Sequence, residues 1–274
     1  PLIALMEDQV NQLLKRGIKA AYINSSLHFK DIDRILDNVI YGNIKILYLS
    51  PERLKTTLFI DRFKKMNVSF VAVDEAHCIS EWGNDFRPEY RNISSLRTLN
   101  KDLSFIALTA TATPEVVEDI EEQLSFKESN KIKKSFIRNN INYSVINAID
   151  KEKVLVKLLT NESSIIYVRN RKKTKELSKL LNSKNYKTDF YHAGLDFRER
   201  SEKQTKWINN EFDTMIATNA FGMGIDKPDV KTVIHFDLPE TLESFYQESG
   251  RAGRNGKASF SIILKDDQDI ENLK

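Results

Sequence analysis

Cysteine is almost absent from this sequence. The single thiol, Cys78, can neither close an internal disulfide nor build a cysteine-rich zinc site, so no zinc is expected in this chain. A chain so poor in thiols fits a reducing interior. With 9 Gly and 6 Pro, it is neither collagen-like nor rich in linkers. No apolar run approaches the roughly 20 residues that a membrane-spanning helix needs, and the first residues lack the layout of a secretory leader. No membrane partner is expected. Neither sign of charge dominates: 42 Lys and Arg stand against 39 Asp and Glu, for a net charge of +3. Such a mild excess is compatible with a nucleic-acid partner but does not argue for one, because patch geometry matters more than the sum. There is no short-period repeat and no low-complexity segment. The chain opens at Pro1 rather than Met, which suggests that something upstream is missing.

What is present describes a globular protein. Apolar residues make up 41% and charged residues 30% of 274 positions, enough for a real core in one large domain or two of ordinary size. Short runs of branched and aromatic residues predict strands at 44–49, 70–73, 105–108, 165–168, 215–217, 232–236 and 260–264, each apolar enough to be covered on both faces. Helical spacing links Met6, Val10, Leu13 and Leu14, then Val117, Ile120 and Leu124, then Leu177, Leu180 and Leu181. Thr113-Pro114-Glu115 marks a helix start, with a capping hydroxyl, a first-turn proline and an early acid. Strands alternating with helices imply parallel sheets covered by helices. Residues 129–147 are polar, rich in Asn and Lys, and poorly periodic, which places a boundary near Asn140. The reading is two α/β domains in tandem, 1–140 and 141–274.

Two constellations carry chemistry. In Phe70-Val71-Ala72-Val73-Asp74-Glu75-Ala76-His77 an apolar strand ends in adjacent carboxylates, where parallel sheets place their sites. Asp74 can hold Mg²⁺ through its water shell, and Glu75 can orient and deprotonate an attacking water. The plain alternative is an acidic turn after a buried strand. In Gln247-Glu248-Ser249-Gly250-Arg251-Ala252-Gly253-Arg254, two arginines three apart share one face if the segment is helical. Guanidinium suits a transferring phosphoryl group because its planar fork stays charged. The alternative there is a solvated basic turn.

Together these segments resemble motifs II and VI of superfamily 2 helicases. The run Cys78-Ile79-Ser80-Glu81-Trp82-Gly83-Asn84-Asp85-Phe86-Arg87-Pro88-Glu89-Tyr90 narrows the resemblance to the RecQ family and its aromatic-rich loop. Residues 1–10, Pro51-Glu52-Arg53-Leu54, 108–113, 165–171, Tyr191-His192-Ala193-Gly194-Leu195 and 217–228 follow in the family's order, so the resemblance spans essentially the whole chain. It implies two tandem RecA-like parallel-sheet domains, the first truncated at its N-terminus. It also implies an ATP- and Mg²⁺-dependent DNA helicase core moving 3′ to 5′ on single-stranded DNA and unwinding duplex, in DNA repair and recombination. Asp74 would serve Mg²⁺ and Glu75 the water. Arg254 would be the arginine finger, with Arg251 and Gln247 around the γ-phosphate. Gly224 and Asp226 would face the nucleotide or Arg251. Trp82, Phe86 and Arg87 would sense DNA, with Arg171, His192 and Thr218 on phosphates of the strand. His77, Thr109 and Thr111 would couple the two ligands. A metal site at His77-Cys78 is not expected, since two ligands without partners do not make one. The implied setting is intracellular, in a bacterial nucleoid or a eukaryotic nucleus.

The sequence also departs from the family. No Gly-x-x-x-x-Gly-Lys-Ser/Thr occurs in it. RecQ-like proteins carry that loop just ahead of the segment with which this chain begins, so the expectation is truncation, an exposed sheet edge, and a fragment without activity. Asn84 stands where relatives have His; Asn219 and Val168 also differ, and the accessory domains of relatives are missing. Two rivals remain: a DEAD/DEAH-type RNA helicase, against which Trp82 to Pro88 argues, and a nucleic-acid-binding remnant without turnover.

Overall fold

The computed structural model describes residues 3–24, 27–83, 85–222 and 227–271. They form two compact units, Pro1–Lys133 and Lys134–Lys274. The division falls a few residues ahead of Asn140 because the polar stretch there is already committed to the second unit. The Asn140 amide donates to the carbonyls of Gly253 and Lys257 at 2.7 and 3.0 Å, and Arg138 donates to Gly253 at 3.1 Å.

The first unit begins with α1 (Ile3–Lys15), β1 (Ala20–Ile23), α2 (Phe29–Tyr41) and β2 (Ile46–Leu49). A 3-10 turn (Pro51–Lys55) leads to α3 (Thr57–Phe63) and β3 (Phe70–Val73). Two more 3-10 segments, Ala76–Ile79 and Pro88–Ser95, precede α4 (Leu96–Leu99), β4 (Ser104–Ala107) and α5 (Pro114–Gln123). The start of α5 is as the sequence predicts, with the Thr113 hydroxyl accepting from the Val116 amide at 3.4 Å. β1 pairs with β2 and β3 with β4, both in parallel. Val73, Phe105, Ile79, Leu36, Phe59 and Leu124 meet in one core. Side chains alternate along a strand, so Val73 and Phe105 go inward while Phe70 and Ile106 turn out, 54% and 47% exposed. The expectation that these strands are covered on both faces therefore fails in this unit, among the described residues.

In the second unit it holds for the strands 165–168, 215–217 and 232–236 but not at Phe260, which is 40% exposed. There β5 (Ile141–Asn147), α6 (Lys151–Leu158), β6 (Ser164–Tyr167), α7 (Arg171–Asn182), β7 (Thr188–Tyr191) and α8 (Phe197–Ile208) come first. They are followed by β8 (Thr214–Ala217), β9 (Thr232–His235), α9 (Leu242–Ser249), β10 (Ser259–Lys265) and α10 (Asp267–Glu271). The strands form one parallel sheet in the order β5-β10-β9-β6-β8-β7. Every residue of β6, β8 and β9 is buried. One core, around Trp207, Phe221 and Met215, is separate from another around Leu155, Leu177, Ile216 and Leu264.

Candidate functional site

β3 delivers Asp74 and Glu75 at its C-terminal end, and the backbone there is strained. Glu75 has φ 50° and ψ 44°, a left-handed conformation that a side chain with a Cβ adopts at a cost of about 1–3 kcal/mol. Two contacts hold it. The Glu75 amide donates to an Asp74 carboxylate oxygen at 3.0 Å, and the following Ala76 amide donates to the Leu108 carbonyl at 2.9 Å. Burial raises the Glu75 carboxyl above its ordinary value; His77 pulls it back and Asp74 pushes it further up. His77 Nδ1 lies 3.4 Å from the Glu75 carboxylate and 3.0 Å from the Thr109 hydroxyl, which in turn donates to the Thr111 carbonyl at 3.0 Å. One imidazole thus joins the acid pair to the segment after β4.

The aromatic loop is built on the same 3-10 segment. The Arg87 amide donates to the Cys78 carbonyl at 2.8 Å, and a Cβ added to Gly83 would stand 3.0 Å from the His77 carbonyl, so the loop lies directly on His77. Arg87 is ion-paired with Asp85 at 2.8 Å and Arg91 with Glu81 at 3.0 Å, while the Arg91 guanidinium sits 5.0 Å over the Phe86 ring. Trp82 is 78% exposed and so is not a core residue. His77, Cys78 and Asp85 offer ligand atoms within 4.8 Å of one another. The expectation against a metal rests on two ligands without partners, and Asp85 is a third within reach; burial pushes the Cys78 thiol up to about 12, and Asp85 is also held by Arg87.

In the second unit Arg171, Thr218 and His192 follow β6, β8 and β7, three neighbouring strands, and so share one sheet edge. A side chain at Gly194 would meet Arg171 Nη1 at 3.1 Å and His192 Nδ1 at 3.3 Å. His192 is buried, and neither ring nitrogen has a partner. Burial, then Lys175 and Arg171, holds its imidazole below the usual range and keeps it neutral. The second constellation is not helical throughout, which corrects the sequence reading: α9 ends at Ser249, and Arg251 and Arg254 lie in the turns beyond it. They do not share a helix face. Arg251 turns inward, its Nη1 on the Gly222 carbonyl, whereas Arg254 is exposed.

Residues 1–120 match the DEAD/DEAH box helicase family and residues 150–256 the helicase conserved C-terminal domain. The chain is 43% identical to the ATP-dependent DNA helicase RecQ of Bacillus subtilis, over 98% of this chain and 46% of that protein. It is 44% identical to the probable ATP-dependent DNA helicase RecS of the same organism and 38% identical to the RecQ-like DNA helicase blm-1 of Caenorhabditis elegans, over 99% and 100% of this chain. The chain belongs to the RecQ family. It spans about half the length of the bacterial relatives, 46% and 56% of them. In structure, this RecQ-family chain resembles S. cerevisiae Dbp5 bound to RNA and ADP BeF3, with a TM-score of 0.74 at 22% identity over 100% of this chain and 71% of that one. It also resembles Mycobacterium smegmatis helicase Lhr bound to ssDNA and AMP-PNP, with a TM-score of 0.73 at 18% identity over 100% of this chain and 40% of that one. The fold is two tandem RecA-like domains.

The RecQ-type motif residues Asp74, Glu75, His77, Thr109, Thr111, Trp82, Phe86 and Arg87 thus group around His77 in the first unit, whereas in the second Arg171, His192 and Thr218 follow the ends of β6, β7 and β8, Gln247 lies on α9, and Arg251 and Arg254 lie in the turns beyond it. Gly224 and Asp226 lie outside the described residues, as does Asn84. Sequence reasoning missed the residues that hold the second cluster. His235 and Glu248 form a buried pair at 3.0 Å that ties α9 to β9. Arg138 and Asn140 strap the turn after α9. The one available signal for His235 and Glu248 was a polar residue at an apolar position of its element. Arg138 and Asn140 had no such signal within a polar stretch.

Proposed function

We propose that this chain is the motor core of an ATP-dependent DNA helicase, converting hydrolysis into 3′ to 5′ movement along single-stranded DNA and opening of duplex. The observation that carries the reading is His77, which touches the Glu75 carboxylate, the Thr109 hydroxyl and, through its carbonyl, the loop bearing Trp82. A base stacked on Trp82 gains about 1–3 kcal/mol whatever its identity. Any shift of the loop reaches the acid pair through one residue.

The donor set fits magnesium and ATP in part. Asp74 is exposed and oriented by the Glu75 amide, which suits a water-mediated Mg²⁺ ligand; Mg²⁺-ATP, when bound, supplies the phosphoryl group that passes to water. Glu75 accepts the proton of that water, and its raised carboxyl suits a base working nearer neutrality. Arg254 supplies charge to the transferring group, with Gln247 beside it. On the DNA side, Arg171 and Thr218 meet the strand's phosphates, and the one N–H of neutral His192 donates to a phosphate oxygen, satisfying a buried donor that otherwise costs about 1–3 kcal/mol. The 274 residues contain no Gly-x-x-x-x-Gly-Lys-Ser/Thr, so by themselves they hold no phosphate cradle.

The test is ATP turnover by a protein extended at its N-terminus to carry such a loop, with single-stranded DNA, with RNA, and with neither. DNA should stimulate most, and Glu75→Gln should lower turnover by about 10²–10⁴ while leaving nucleotide bound. Stronger stimulation by RNA would favour an RNA helicase. Binding of DNA without turnover in the unsubstituted protein would make this a strand-holding module.

A further inference from the structure

Arg251 has two neighbours that explain its place. Its Nη1 donates to the Gly222 carbonyl, and its charge acts on the buried phenol of Tyr167, which donates to the Phe221 carbonyl at 2.9 Å. Gly222 completes the arrangement. A Cβ there would stand 2.6 Å from Arg251 Cζ and 3.1 Å from Nε, so the guanidinium occupies the space of the missing side chain. The backbone gives no other reason for a glycine, since Gly222 is not among the glycines with positive φ. Below the same turn, the buried Glu248 is fixed on His235 at 3.0 Å and Ser249 on Ser261 at 2.7 Å, so Arg251 projects from an anchored base.

We propose that Arg251 is a positioning residue rather than a phosphate ligand: it braces the loop after β8, with Gly222 as its socket and Tyr167 as its second seat. A guanidinium is suited to this because its planar group donates to the Gly222 carbonyl while filling the space beside that residue's Cα, which a compact ammonium cannot do in the same geometry. The brace fixes the backbone that enters residues 223–226, which the helicase reading assigns to the nucleotide. Its bearing on hydrolysis therefore rests on that reading, whereas the brace itself does not. Division of labour follows: Arg251 organises the second unit with or without nucleotide, and Arg254 meets the ligand.

Amide hydrogen exchange on the 274-residue chain without nucleotide tests this, because a phosphate ligand has no work to do there. The Phe221 amide, bonded to the Thr218 carbonyl at 2.9 Å, is the reporter. Arg251→Gln should speed its exchange at least tenfold, with β6 and β9 amides unchanged, and Arg251→Lys should restore part of the protection. Gly222→Ala, which the backbone tolerates, should expel the guanidinium and give the same loss. Adding Arg251→Gln to Gly222→Ala should then change little. Unchanged Phe221 exchange in both single variants, or additive effects in the double variant, would overturn the brace. General acceleration across the sheet would also overturn it, by making Arg251 an ordinary structural residue. A parallel titration with ATP and ADP keeps the helicase reading separate: failure of the unsubstituted extended protein to bind either would count against that reading and leave the exchange result standing.

Discussion

Glu75 and Trp82 are three-dimensional neighbours through His77, and each yields a prediction about single side chains. As a base, Glu75 works deprotonated, so turnover falls as pH drops through its raised value. The acid limb of kcat should therefore lie above the ordinary carboxyl value of 4.5. His77 offsets part of the rise, so His77→Ala should move the limb to higher pH; a limb that stays put or falls would separate the two residues. For Trp82, exposure decides between a place in the core and a surface open to DNA. With 78% of its surface in solvent, Trp82→Ala should leave the thermal midpoint within the range of an ordinary surface change, about 0.5 kcal/mol. It should reduce DNA-stimulated ATPase more than ATP affinity. A variant that melts early, or keeps full stimulation, would remove Trp82 from the sensing role.

At the scale of elements, the turn after α9 depends on its glycines in unequal ways. Gly253 has φ +60° and its added Cβ would meet the Asn140 amide at 2.5 Å, the Ser259 hydroxyl at 2.7 Å and the Lys257 carbonyl at 2.9 Å; Gly256 has φ +79° with open space around it. Gly253→Ala should thus destabilise the second unit by more than the about 1–3 kcal/mol of backbone strain that Gly256→Ala incurs. Urea unfolding followed on both variants checks the order, and equal losses would mean that the crowding is relieved by small shifts. These elements also show what sequence can and cannot disclose. β3 was legible to the residue because Phe70 to Val73 is a pure apolar run between Ser69 and the charged Asp74, and α5 because its cap, proline and acid are all local signals. β5 was not, since it is an edge strand whose Asn142, Ser144 and Asn147 face solvent, so its alternation is polar rather than apolar. β1 and β7 were not either, because Ala20-Ala21 in the one and Thr188-Asp189 in the other interrupt the run of large apolar residues. The acid pair and the arginines were legible as residues, yet the inward turn of Arg251 was not, because its seat lies on strands distant in sequence.

On the scale of the whole molecule, the two units differ in completeness. The second has a continuous six-stranded sheet and cores made wholly from its own residues, so residues 134–274 expressed alone should fold and melt cooperatively. Circular dichroism during heating checks this, and a broad, non-cooperative loss would show that it needs the first unit. Among its described residues the first unit has two parallel strand pairs and an apolar outer face at Phe70 and Ile106, so its own transition should be broader. The pairing of β5 with β10 adds a matter of timing. These are the first and last strands of their sheet, Ile141 opposite Ser259, on the order of 100 residues apart, a contact of the slow, non-local kind. At about 5–20 residues per second, a ribosome leaves β5 waiting for several seconds with no β10 to pair its backbone donors and acceptors.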